Sequence, residues 1–258
     1  MLQTLVEAFT QIGFPQMLAI WGGIMLAALL RAFTGFGFSL GAVPVLSLFV
    51  APTDAVVITL GLLLTVSVFS IKKYWTPGTV QPLVPILLFA ILGTAVGASL
   101  LRSLSVVQFQ LWIGLGVVLA CLALSFYRPK ALRVGFILRA VTGLCSGLMN
   151  GALAIAGPPI IILTMATESS AQKSRAILMT YFMFISVIGL LMYATLGYIT
   201  VRSLCMLLLA LPAMLLGDAL GHAVFSRFGT QMHRTIALGA LYFVGIGTTT
   251  KALSDWSW

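Results

Sequence analysis

The sequence is short of charge. Only 7% of its 258 residues are charged, and only five are acidic. A soluble domain carries roughly 25% charged residues, so this composition cannot cover the surface of an ordinary soluble enzyme. It also excludes a disordered chain, which needs low hydrophobicity and high charge. The three cysteines, Cys121, Cys145 and Cys205, sit inside apolar segments with no ligand spacing. That excludes a disulfide framework and a thiolate metal site. Five carboxylates supply a metal-dependent hydrolase poorly, and no ATP-binding motif is present. The opening MLQTLVEAFTQIGF has no Lys or Arg before its apolar run and no small-residue cleavage site, so a cleaved signal peptide is not expected.

What fills the chain instead is apolar: 60% hydrophobic residues and a mean hydropathy of +1.13. The runs are long and continuous, unlike the short alternating segments of a transmembrane β-barrel, so the fold class expected is an all-α polytopic membrane protein. Apolar segments fall near 17–36, 38–51, 54–71, 80–101, 106–127, 132–149, 152–167, 175–198, 203–225 and 235–251. A full span needs about 20 residues, and the second and seventh segments are short for one.

The net charge of +9 and pI of about 10.0 would suggest nucleic acid in a soluble protein. In a membrane protein they report orientation, and no nucleic-acid partner is expected. If every segment crosses, Lys72, Lys73, Arg128, Lys130, Arg133, Lys173, Arg175, Arg227 and Arg234 collect on one side. Arg102, Arg202 and Lys251 collect on the other. The basic side is then cytoplasmic, with both termini periplasmic or extracellular. Six crossings plus two re-entrant hairpins give the same bias, so both arrangements stay open.

The chain also repeats itself. LRAFTG at 30–35 resembles LRAVTG at 138–143, and each runs through glycines to proline, Pro44 in one case and Pro158-Pro159 in the other. Ala55 and Thr59 match Ala176 and Thr180, and Gly93/Gly97 match Gly217/Gly221. These pairs divide the chain into a first transmembrane repeat, 1–128, and a second, 129–258. Each repeat holds five segments, so the halves are inverted, as in many secondary transporters. A broken or re-entrant helix pair is expected in each half.

Arg31 and Arg139 carry the sharpest chemical signal. Leu18 to Arg31 spans about 20 Å of helix, which places Arg31 within or near the hydrocarbon. Intramembrane arginines are costly and mark substrate paths. At matching repeat positions the two would converge on an anion, with each guanidinium donating two parallel hydrogen bonds. The alternative pairs them with Asp54 or Asp218, or lets them snorkel to an interface. The glycine breaks should expose half-helix N-termini near Ser39 and Ala152, a cradle for an oxyanion. Thr34, Gly35, Gly37, Ser39, Pro44, Thr142, Ser146, Asn150, Pro158 and Pro159 complete the expected substrate-binding set. GFGFSLG is not a dinucleotide fingerprint. Asp218 and His222 share a helix face and are candidates for proton coupling or for a structural interfacial pair. Pro85 and Pro212 should kink their spans.

TGFGFSLGAVPVL and SGLMNGALAIAGPPIIIL resemble the TauE/SafE family, the 4-toluenesulfonate uptake permeases, along nearly the whole chain. The resemblance implies a multi-pass carrier in the bacterial inner membrane for sulfite, sulfonate, sulfoacetate or thiosulfate. Its partners would be a small anion and the lipid bilayer, with homo-oligomers possible, no cofactor and no metal. Members are often described as two four-span halves, that is, parallel repeats, whereas the charge count favours inverted ones. The function expected is a secondary transporter rather than an enzyme. An anion channel is the main alternative, and an intramembrane hydrolase using Ser146 and His222 a weaker one.

Overall fold

In the computed structural model, residues 14–34, 37–74, 78–126, 134–168, 170–228 and 230–255 are described, and among them every regular element is helical. The elements are α1 (Phe14–Thr34), α2 (Phe38–Ser47), α3 (Pro52–Tyr74), α4 (Val84–Leu101) and α5 (Val106–Phe126). They continue with α6 (Phe136–Leu153), α7 (Gly157–Thr167), α8 (Ala171–Thr195), α9 (Val201–Phe228) and α10 (Thr230–Ser254).

Helix starts follow local chemistry. Pro52 opens α3, while Pro85 and Pro158 occupy the first turns of α4 and α7. A missing N–H costs nothing there. Pro85 therefore starts a helix rather than kinking one, whereas Pro212 does lie inside α9. Ser170 caps α8 by accepting from the Lys173 N–H at 3.4 Å.

Six helices among the described residues are long and apolar enough to cross a membrane: 15–32, 52–70, 81–101, 136–153, 172–195 and 201–221. α2 and α7, with 10 and 11 residues, reach only about 15–17 Å at 1.5 Å per residue, half of a hydrocarbon core of roughly 30 Å. Even so, they are the most enclosed elements. Phe38, Leu40, Val43, Leu46, Ile160 and Ile161 are buried, whereas α4 turns Leu88, Leu92 and Val96 outward. Apolar residues at such exposed positions suit a lipid-facing surface.

α1 packs on α9 and α4 packs on α6; α3 meets α8, and α5 meets α10. Without a hydrophobic drive between helices, such contacts depend on close backbone approach through small residues. At the α4–α6 crossing, a Cβ on Gly143, Gly147 or Gly151 would strike the backbone carbonyls of Ile86, Ala90 or Thr94. On α9, Gly217 and Gly221 lie in the same way against Met25 and Leu29 of α1.

LRAFTG and LRAVTG do not occupy corresponding places. The first closes α1, with Arg31 in its last turn, and the second lies in the opening turns of α6. Helix α6 also runs on to Leu153, so the second half-helix begins at Gly157 and not near Ala152, which lies in the last turn of α6.

Gly147→Val would force backbone against backbone at Ala90. We expect it to lower the melting temperature of the detergent-purified protein, through an overpacking cost of about 1–3 kcal/mol or more. Gly22→Ala, where the added Cβ meets nothing within 4 Å, should leave it unchanged.

Candidate functional site

Both helix breaks are built from specific backbone devices. In the first, Gly37 adopts φ 99°, a left-handed conformation that glycine takes without steric cost. The first intrahelical bond of α2 runs from Gly41 N–H to Gly37 O at 3.1 Å, so the N–H groups of Phe38, Ser39 and Leu40 have no intrahelical acceptor. In the second, Ala154 takes φ 54°, which costs a non-glycine residue about 1–2 kcal/mol. Its N–H closes on Asn150 O at 2.8 Å, and Ile155 N–H reaches Met149 O at 3.3 Å. Side chains hold the remainder. Ser146 donates to Ala156 O and accepts from the Tyr181 hydroxyl at 2.7 Å. Tyr193 donates to the carbonyls of Asn150 and Gly151 at 3.0 and 2.9 Å.

The two breaks open on one cavity. Gly37–Leu40 line it from the first break, and Ile155 and Gly157 from the second. Ser67 of α3 and Met179 and Phe182 of α8 close the sides, with Arg31 on the wall. Arg31 is 2% exposed. Its Nη1 donates to Asp218 Oδ1 at 2.8 Å, and its Nη2 to Ser70 Oγ and to Met179 Sδ, each at 3.3 Å. The Ser67 hydroxyl is buried and has no hydrogen-bond partner in the structure. A guanidinium, free backbone N–H groups and a spare hydroxyl around a mostly apolar cavity form a donor-rich site that matches a small oxyanion.

Residues 20–248 match the family described as "Sulfite exporter TauE/SafE". The chain belongs to the TauE/SafE family. A protein of Cupriavidus necator named "Probable sulfite/organosulfonate exporter TauE" is 26% identical over 128 residues, half of this chain and half of that protein. No solved structure matches. Family membership makes this chain a multi-span protein of a membrane transporter family.

The remaining sequence-derived candidates of this TauE/SafE chain are dispersed. Arg31 and Arg139 do not converge: Arg139 is half-buried on a different cavity and donates to Pro82 O at 3.5 Å. Arg31 instead has the alternative partner raised from sequence, Asp218. The two half-helix ends are also unequal, because Pro158 and Pro159 remove N–H donors from the first turn of α7. Thr142 bonds its own helix at Leu138 O, and Ser146 and Asn150 brace the second break. Pro44 lies inside α2 and accepts from Ser47 Oγ at 2.7 Å. Gly35 and the side chains of Thr34 and His222 lie outside the described residues.

Sequence reasoning missed Ser67, Ser70, Met179 and Arg175. Two serines three apart in the apolar α3 segment were a usable signal. Arg175 was read only as a topological charge, yet its Nη2 donates to Ala32 O at 3.1 Å, near the end of α1.

Asp218→Ala would leave the Arg31 charge buried without its carboxylate. Because Asp218 is 19% exposed, the loss should sit near the lower end of the usual 3–5 kcal/mol, read as a fall in melting temperature. An Arg31→Met, Asp218→Leu double variant should recover most of that stability.

Proposed function

We propose that the protein is a secondary transporter of a small sulfur-containing oxyanion, of the sulfite, sulfonate, sulfoacetate or thiosulfate class. The observation that carries this reading is the meeting of both helix breaks, Arg31 and the unpartnered Ser67 hydroxyl on one cavity. The anion would sit against the N–H groups of Phe38–Leu40 and take hydrogen bonds from Arg31 and Ser67. The name of the Cupriavidus necator relative, which includes sulfite and organosulfonate, supports the substrate class.

Asp218 gives this site a coupling device. While the site is empty its carboxylate occupies Arg31, and an arriving oxyanion competes for the same donors. Protonation of Asp218 releases the guanidinium, so anion entry and proton uptake are linked. Asp218 would then couple transport to a pH gradient, with His222 one turn further along α9 as relay.

The same proposal includes two inverted repeats, 1–128 and 129–258, rocking against each other across the cavity. Helix pairing supports it, since α1 on α9 mirrors α6 on α4, and α3 and α8, like α5 and α10, meet as equivalents. Glycine contacts support one register for these repeats. Gly93 meets Leu144 and Leu148, whereas Gly217 meets Met25. Superposing Gly93 on Gly217 then sets Leu144 on Met25, Asn150 on Arg31 and Thr94 on Asp218. In this register the charged pair has a neutral counterpart, and Arg139 is no partner of Arg31. The distribution of basic residues supports a cytoplasmic location for the loops after α3, α5, α7 and α9 of an inner-membrane protein.

Proteoliposome uptake tests the proposal. Labelled sulfite, thiosulfate, taurine and sulfoacetate should reveal at least one anion carried saturably and accelerated by the same anion on the far side. An unaccelerated, gradient-only flux would indicate a channel. Arg31→Gln should abolish uptake, and Ser67→Ala should weaken it about tenfold, the worth of one hydrogen bond to a charged group. Asp218→Asn should remove the response to a pH gradient. Saturable uptake of a cation or neutral solute, with no anion carried, would overturn the proposal.

A further inference from the structure

The half-buried Arg139 lies in the first turn of α6, where its Nη1 makes a long bond to Pro82 O at 3.5 Å. A guanidinium has five N–H donors, and neither of the ion pairs among the described residues includes Arg139. A charge enclosed among apolar groups is tolerated when an opposite charge meets it. Beside Arg139 is a second cavity, between the starts of α4 and α6, the end of α7 and the first turns of α8. Leu83, Ile86, Ile160 and Ile177 form an apolar wall, and Thr164 and Thr167 add hydroxyls. It shares no lining residue with the central cavity.

Two further features define what could bind. Lys72 and Lys73 stand in the last turn of α3, just before α4 in the chain, and Lys173 in the first turn of α8, while Arg128, Lys130 and Arg133 precede α6 in the sequence, a basic bias that favours anions. Immediately before Arg139, Phe136, Ile137 and Leu138 are 64%, 78% and 53% exposed, an apolar face that in a membrane protein meets acyl chains. Basic pockets between transmembrane helices hold anionic headgroups in this way. A purely polar anion would satisfy Arg139 but leave the isoleucine and leucine wall unfilled.

We propose that the Arg139 cavity is a second oxyanion site, separate from the central one, for an amphiphilic tetrahedral oxyanion: a phosphate or sulfonate bearing an apolar group. Its natural source is either an anionic lipid headgroup or an organosulfonate passing to or from the central cavity. Loss of flux in an Arg31 variant leaves this site intact, so the two sites are tested separately.

Native mass spectrometry of the full chain in neutral detergent tests it, with phosphatidylglycerol, phosphatidylcholine and hexanesulfonate as probes. At least one of phosphatidylglycerol and hexanesulfonate should bind at one tight equivalent, and phosphatidylcholine should not. Arg139→Gln should weaken that binding about tenfold or more, the size of one charge-assisted contact, while Arg139→Lys retains part of it and Arg31→Gln retains all. Binding of phosphatidylglycerol alone identifies a lipid source, and binding of hexanesulfonate alone a substrate station. Equal binding by wild type and by Arg139→Gln of unchanged melting temperature would overturn the proposal. So would retention of neither probe by the wild type.

Discussion

A helix interrupted inside a hydrocarbon layer would leave backbone N–H and C=O groups that no solvent can satisfy, and this chain of a membrane transporter family has two interruptions, between α1 and α2 and between α6 and α7. Broken backbone is tolerated at that depth only where protein buries it or a cavity receives it. The architecture meets that constraint. α2 and α7, too short to span, are enclosed by longer helices, and several carbonyls beside the breaks have side-chain partners. Tyr193 takes the carbonyls of Asn150 and Gly151, Ser146 the carbonyl of Ala156, and Arg175 that of Ala32. The N–H groups at the start of α2 have no intrahelical acceptor, and their residues line the cavity.

Arg31 and Asp218 follow from the same constraint. A guanidinium beside free N–H groups concentrates positive potential in a place where charge is expensive. The bond to Asp218 at 2.8 Å sets a compensating carboxylate against it. Asp218 is less enclosed than its partner, 19% against 3% exposed, so the pair opens at lower cost from the carboxylate side. In the proposed function, this is the ion pair that an arriving anion would displace.

Much of this was legible in the sequence, and what was not has physical causes. Long apolar runs gave the helices, and glycines next to prolines gave both breaks. The glycines of α4 and α9 gave close packing, but of the two arginines expected to converge, Arg31 lines the cavity between the breaks and Arg139 lines another. LRAFTG and LRAVTG look alike locally, yet Arg31 lies in the last turn of α1 and Arg139 in the first turn of α6, because a helix ends where its glycines and prolines fall and not where six residues match. Two prolines looked like a break signal only, but they also strip donors from α7 and make the two half-helix ends unequal. Long-range partners such as Ser70 and Met179, from 39 to 148 residues distant from Arg31, leave no mark in local sequence.

An oxyanion held between the two breaks, in contact with Arg31, can be located crystallographically. Selenite has the charge and shape of sulfite and scatters X-rays anomalously, so crystals grown with it would show its position directly. The account predicts an anomalous peak among Arg31, Ser67 and the N–H groups of Phe38–Leu40, with Asp218 displaced from the guanidinium. A peak elsewhere, with the Arg31–Asp218 bond intact and the central cavity empty, would contradict it.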